Sequence, residues 1–381
     1  MFLFFLISPE TVFAAAGNGL RLWGETLVPS LLPFILLNHL LSDAGGVALV
    51  GRALKAPVGK ILRLPGEAAF IMAAGYSAGV PVSASLIAAQ YRGGSIEKKQ
   101  AERLLAFAAN VSPLFLLSAV ALGLLGNERI GPPLLMVNYG TNLLLTLTVC
   151  RFFPLKTPAA GTGAVKGTAA MRFPGLSDAI FRSVRTMVLI GAVVMAFFIL
   201  IAFADRVGLF RIIAAVFSLS EKSAAVVRGT LCGALEITAG AWAVCGAAEG
   251  RLCFCLLSAV FAWGGLSAAA QISAELRDTD LKMGFYFRYK IIQGATAFVV
   301  SLWVPESWFA PPANTILPTA AAVTGGFSEG APLWTGFYPH LAHTSPLVGL
   351  ASLGVCAFCA VAALRGAKKI IRSLWAGRRE R

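Results

Sequence analysis

Two stretches of this chain, one in each half, break an apolar helix with the same kinds of residue. The first couples Ala73-Ala74-Gly75-Tyr76-Ser77-Ala78-Gly79-Val80-Pro81 with a later Asn110-Val111-Ser112-Pro113. The second couples Gly233-Ala234-Leu235-Glu236-Ile237-Thr238-Ala239-Gly240 with a later Trp263-Gly264-Gly265-Leu266-Ser267. Breaks of this kind are costly in hydrocarbon, where freed backbone groups find no water. A chain that places them twice, in matching positions of two halves, is expected to use them. Their common use is a solute site near the bilayer midplane.

That argument requires a membrane, and composition supplies it. Of the 381 residues, 57% are apolar and 13% are charged, against about 25% charged in soluble domains. The chain is predicted to be a multi-pass membrane protein. Its net charge of +14 is concentrated in a few places. Seven basic residues lie between Arg365 and Arg381, and six between Arg151 and Arg185. Basic segments beside spans face the cytoplasm, so this charge argues for topology and against a nucleic-acid partner. Cys356 and Cys359 form a C-x-x-C inside an apolar stretch with no histidine near them. They read as small hydrophobic filler, and His39, His340 and His343 form no metal-ligand spacing. No metal, cofactor, nucleophile–base pair or phosphate loop is indicated, and no enzyme is expected.

Apolar runs near the ~20 residues of a span fall at about 1–16, 27–44, 104–125, 133–152, 186–204, 251–275, 286–304 and 346–364, eight in all. The first carries no basic leader, is short, and meets Pro9 and Glu10. It either continues to about Ala16 as an irregular helix or begins upstream. Segments 67–90 and 224–247 hold the interruptions and are predicted to be re-entrant hairpins. Charge favours that choice. With the basic tail inside, loop 305–345 falls outside and carries Glu306 and Glu329 with no Lys or Arg. Arg277, Lys282, Arg288 and Lys290 then fall inside, as do the groups at Arg52–Arg63 and Arg92–Arg103. Full spanning by either hairpin segment would put one basic group outside. Both termini are expected in the cytoplasm.

The order of elements then repeats with opposite orientation: a span, a short amphipathic segment (47–63, then 207–221), a hairpin, a broken helix and a further span. The expected fold is an all-α integral membrane protein of about eight spans and two re-entrant hairpins in two inverted repeats. Its divisions are a first span (1–26), repeat one (27–153), a basic cytoplasmic linker (154–185), repeat two (186–304), an extracytoplasmic loop (305–345), and a last span with a basic tail (346–381). The loop is rich in aromatic residues and reads as an interfacial anchor or a partner-docking surface.

Candidate solute-binding residues follow from the breaks. Glu236 is an acid inside a hairpin, where an ionised carboxyl costs ~2.5–3.5 kcal/mol without partners. It either takes a proton, Na⁺ or a donor on the solute, or pins the tip by bonding Thr238 or a free backbone N–H. Gly75, Tyr76, Ser77, Gly79 and Pro81 form the other tip, where half-helix N-termini attract carboxylate or phosphate. Asn110, Ser112, Ser267 and Gln271 offer neutral donors and acceptors, and the last two share one helix face. Glu97, Lys98, Lys99, Glu102 and Arg103, like Asp278, Asp280 and Lys282, read as solvated cytoplasmic surface.

Several of these runs also occur in order in a known family. Pro29-Ser30-Leu31-Leu32-Pro33-Phe34, Gly75 to Pro81, Ala101 to Phe107 leading to Ser112-Pro113-Leu114-Phe115, Leu235 to Gly240, and Gly265 to Gln271 with Asp278-Thr279-Asp280 resemble the sporulation integral membrane protein YlbJ family. The resemblance covers roughly residues 20 to 300. It implies two nucleoside-recognition, or Gate, domains and an architecture similar to that of concentrative nucleoside transporters. It also implies a place in the outer forespore membrane and the movement of dipicolinic acid during sporulation. Tyr76 is a candidate to stack on that aromatic ring. Two departures matter: the first tip has no carboxylate where nucleoside carriers have one at each, and Ala268-Ala269-Ala270 replaces a more polar run. The uncharged first tip favours an anion over a nucleoside. The expected function is therefore transport of a small organic anion, most simply dipicolinate, with a coupling proton or Na⁺. A nucleoside or nucleobase symporter and a non-transporting sporulation scaffold are the alternatives.

Overall fold

A computed structural model describes residues 2–44, 64, 66–113, 115–154 and 176–310. The amphipathic segment 47–63, most of the linker, nearly all of loop 305–345, and the last span with its tail lie outside the described residues. So do His340, His343, Cys356 and Cys359. Among the described residues every regular element is helical and there is no strand.

Helices α1 (Phe2–Ile7), α2 (Pro9–Leu22) and α3 (Val28–Asp43), with a π-helical turn at Trp23–Leu27, follow one another. They lie along α8 (Leu176–Arg206) and pack against its whole length. Phe4 meets Phe203 with ring centroids 5.2 Å apart. Trp23 donates its indole N–H to the Met187 carbonyl at 2.7 Å, and Asp43 pairs with Arg182. Residues 1–16 and 27–44, expected as two antiparallel spans, thus form one rod, bent by 56° near the π-helical turn. Phe4 and Asp43 lie at opposite ends of α8. A cytoplasmic N-terminus and a cytoplasmic Asp43 end are therefore incompatible. The physical reason is local: Pro9 sits in the first turn, where its missing N–H costs nothing, and no later residue before Val28 forces a reversal.

Among the described residues, three helices are long and apolar enough to cross a membrane: Glu128–Phe152, Leu176–Arg206 and Gly250–Glu275. The bent rod makes a fourth if taken as one span. The first contains α7 (Gly131–Phe152), and the last is α12 (Gly250–Trp263) followed by α13 (Gly265–Glu275), broken at Gly264. Alongside them run α14 (Gly284–Ser301) and a second broken element, α6 (Lys98–Ala108) continued by a π-helical stretch at Phe115–Leu124.

Contacts at the helix ends fix two faces. At one, Lys98 pairs with Asp280 at 2.6 Å, Tyr91 donates to Asp280 at 2.7 Å, and the Lys282 amide donates to Glu102 at 3.0 Å. At the other, Arg251 donates to the Leu302 and Val304 carbonyls, each at 2.9 Å. There Asn127 also donates to the Phe309 carbonyl at 2.9 Å. We call these the basic end and the opposite end. The acids and bases expected as plain solvated surface at the basic end in fact tie α6 to the turn after α13.

Two shorter helix pairs fold back on themselves. α10 (Glu221–Leu235) and α11 (Ile237–Ala247) fold back on each other at Glu236. A Cβ on Gly240 would sit 1.9 Å from the Gly233 Cα, and one on Gly229 would sit 2.8 Å from the Val244 nitrogen. At 1.5 Å per residue these legs reach ~22 and ~17 Å, against ~30 Å of hydrocarbon. α11 ends beside Arg251, at the opposite end. The other hairpin, α4 (Gly66–Ala78) and α5 (Val82–Arg92), shares its core with Ile96, Ala101 and Leu104 at the basic end. Residues of both tips face one cavity. A short helix α9 (Leu209–Val216) precedes the second hairpin, in the place the amphipathic segment was expected.

Candidate solute-binding site

Between the tips lies an open-mouthed cavity. Ala78 and Val80 of the first tip and Glu236, Ile237 and Thr238 of the second line it. Of the ten residues the sequence nominates, Asn110, Ser112, Glu236, Thr238, Ser267 and Gln271 stand in its wall. Gly75, Tyr76, Ser77 and Gly79 do not.

The breaks explain how the wall is held. At the first, Asn110 accepts the Val80 amide on its backbone carbonyl at 3.2 Å, which joins the hairpin tip to the break of α6. Gly79 has φ 74°, a left-handed conformation open to glycine, and a Cβ there would lie 2.8 Å from that same carbonyl. Gly75 is equally confined: its Cβ would fall 2.2 Å from the Ala108 carbonyl oxygen. Tyr76 turns away and donates to Asn142 Oδ1 at 2.6 Å, so its ring is not where a solute would stack. Ser77 donates to the Ala74 carbonyl at 3.1 Å. These four residues build the tip without facing the cavity.

At the second break Glu236 caps its own helix. Its Oε2 accepts the amides of Thr238 at 2.9 Å and Ala239 at 2.7 Å. A carboxylate at an N-cap satisfies donors that a helix start leaves free and complements the helix dipole. Glu236 is only 2% exposed, so the pinning role foreseen from sequence is realised. The same arrangement removes the N-terminus of α11 from anion binding. The N-terminus of α13 differs. It begins at Gly265 (φ 78°) with Gly264 (φ 87°) just before it, and no side chain caps it. Gly264, Ser267 and Ala268 there line the cavity.

No family model and no solved structure matches the chain. A curated relative does. The chain is 30% identical over 329 residues to the sporulation integral membrane protein YlbJ of Bacillus subtilis (strain 168), covering 80% of this chain and 81% of that protein. The chain belongs to the YlbJ family. As a member it is an integral membrane protein of a sporulation family, as the motif runs implied.

Sequence reasoning missed one polar residue that this YlbJ-family protein places in the wall. Lys290 was counted with the cytoplasmic charges beside Arg288. It is instead 1% exposed and lines the cavity. Its amine donates to Asn110 Oδ1 at 3.0 Å and to Gln293 Oε1 at 2.9 Å. Tyr286, one turn before it on α14, also lines the cavity. The available signal was spacing: Tyr286, Lys290 and Gln293 recur at helical intervals and share one face of α14.

Proposed function

We propose that this YlbJ-family protein is a membrane carrier for a small organic anion. Dipicolinate is the cargo that the family resemblance favours. One observation carries the reading: two helical hairpins approach from opposite ends, and their tips line one cavity that also holds Asn110, Ser267, Gln271 and Lys290. Carriers place solute sites at such discontinuous helices near the midplane. The two halves follow one order of elements, and we read them as inverted repeats. By the positive-inside bias the basic end faces the cytoplasm, which sets the start of the bent rod on the other side. We place the protein in the outer forespore membrane. In this reading Glu236 holds the second tip and is the candidate for a coupling proton or Na⁺.

Liposomes containing the purified chain test this directly. Labelled pyridine-2,6-dicarboxylate is expected to accumulate in them, and to fail to accumulate with Glu236→Gln protein of equal abundance and fold. Uptake of uridine in place of the dicarboxylate would overturn the anion reading. Labelling of cysteines placed at residues 91–100 and 249–251 from one and the same side would overturn the hairpin arrangement.

A further inference from the structure

Lys290 is a buried amine set among neutral groups. It carries three N–H donors and no acceptor. Two of those donors meet amide oxygens, those of Asn110 and Gln293. Among the described residues no carboxylate comes within ion-pair distance of it. The amides are not free to rearrange around a different partner. Asn142 donates to Asn110 Oδ1 at 3.0 Å, and Tyr76 donates to Asn142 Oδ1 at 2.6 Å. Gln293 donates its own NH2 to the Asn138 carbonyl at 3.2 Å. The network therefore presents oxygens to the amine and turns its N–H groups elsewhere. It orients the amine and supplies no counter-charge.

A buried charge with no counter-charge is expensive, and apolar replacement of such groups is often neutral or stabilising. A counter-ion from outside removes the expense. The cavity offers one other anion-attracting feature, the uncapped start of α13, whose Ser267 and Ala268 share the wall with Lys290. Backbone N–H groups at a helix start and the helix dipole both favour negative charge. Glu236 forms no ion pair with Lys290, and its Oε2 holds the Thr238 and Ala239 amides instead.

We propose that Lys290 is the residue that selects a negatively charged cargo, by seating a carboxylate between its amine and the N-terminus of α13. This rests on the carrier reading above and names the group that makes the site an anion site. A neutral solute of the same shape leaves the Lys290 charge uncompensated and is rejected for that reason.

Equilibrium binding to the purified full chain in detergent tests it, with pyridine-2,6-dicarboxylate and its uncharged diamide as probes. Wild type is expected to prefer the dicarboxylate. Lys290→Met is expected to weaken dicarboxylate binding by about tenfold to a hundredfold, the range for hydrogen bonds to charged groups, and to abolish the preference over the diamide. It is also expected to melt at or above the wild-type temperature without ligand, an outcome that a merely structural lysine would not give. Lys290→Gln keeps N–H donors toward the two amide oxygens without the charge. It is expected to behave as Lys290→Met toward the probes, so a misfolded methionine variant does not close the question. Unchanged dicarboxylate affinity and unchanged preference in either folded variant overturn the role of Lys290 and leave the carrier reading intact. A wild-type protein that binds the diamide as tightly as the dicarboxylate overturns the anion reading itself.

Discussion

The tip of the second hairpin is held by a carboxylate, and the tip of the first by backbone and neutral side chains. In the second, Glu236 accepts the amides of Thr238 and Ala239 within its own turn, and the two legs touch through Gly233 and Gly240. It is also tied outward, since Trp263 of α12 donates its indole N–H to the Ala234 carbonyl at 3.0 Å. In the first, the tip hangs on its neighbours. Val80 donates to the Asn110 carbonyl, and the Tyr139 hydroxyl of α7 lies 2.8 Å from the carbonyls of both Tyr76 and Val111. The first tip is therefore fastened to the break of α6 and to α7, whereas the second closes its own turn and is fastened to α12.

The sharpest way to break this comparison is Gly240→Ala. The added methyl would fall 1.9 Å from the Gly233 Cα, with backbone on both sides and no flexible side chain to yield. Overpacking typically costs about 1–3 kcal/mol, and the gain in helix propensity of about 1 kcal/mol from replacing glycine does not offset a backbone clash. A clear fall in melting temperature and in monodisperse yield is expected. A variant that melts like the parent would mean the legs of the second hairpin do not touch.

Next comes Glu236 itself, read for stability. Glu236→Ala strands two amide donors at a nearly inaccessible tip, a loss of about 1–3 kcal/mol. Glu236→Gln retains an acceptor oxygen and is expected to keep most of the stability while losing uptake. Equal melting temperatures for the alanine and glutamine variants would remove the cap. For the first tip the matching change is Tyr139→Phe, which removes one hydroxyl shared by two carbonyls. About 1 kcal/mol is expected, with faster labelling of a cysteine placed at Ser112. An unaffected labelling rate would show that the first tip does not depend on α7.

How much of this was legible before the structure follows the same contrast. The breaks were legible because glycine, proline and a lone acid stand out in apolar sequence, and breaks are where backbone leaves the helix. Six of the ten nominated residues reached the cavity for that reason. Tyr76 did not, because sequence gives a residue's place at a tip but not the direction of its side chain; here Asn142, on a distant helix, sets it. Lys290 was hidden for another reason. Charge at a helix end is normally cytoplasmic, and only the amides of Asn110 and Gln293, converging from two elements, draw this one inward. The rod from α1 to α3 was misjudged because hydropathy measures length and not direction. A π-helical turn with a bend looks like a turn with a reversal until α8 is seen beside it.

The smallest effect is expected at the basic end, where the first half grips the second. Lys98 and Tyr91 both reach Asp280 across that gap. The Lys98 amine, and after it the Tyr91 hydroxyl, hold the Asp280 carboxyl below its usual range. A depressed carboxylate contributes stability that is complete above its unfolded value of about 3.9 and is lost as pH falls through the lower folded value. Asp280→Asn is therefore expected to melt slightly below the parent near pH 7, by less than any change above, because exposed pairs are weak and screened by salt. Molar salt should shrink the gap between the two proteins, and so should acidification well below pH 4. The variant should leave binding at the cavity unchanged, since neither Asp280 nor its partners Lys98 and Tyr91 line it. If Asp280→Asn instead alters uptake while leaving melting untouched, the clasp is a gate between the halves, and the first hairpin, which adjoins it through Tyr91, would become the mobile one of the pair.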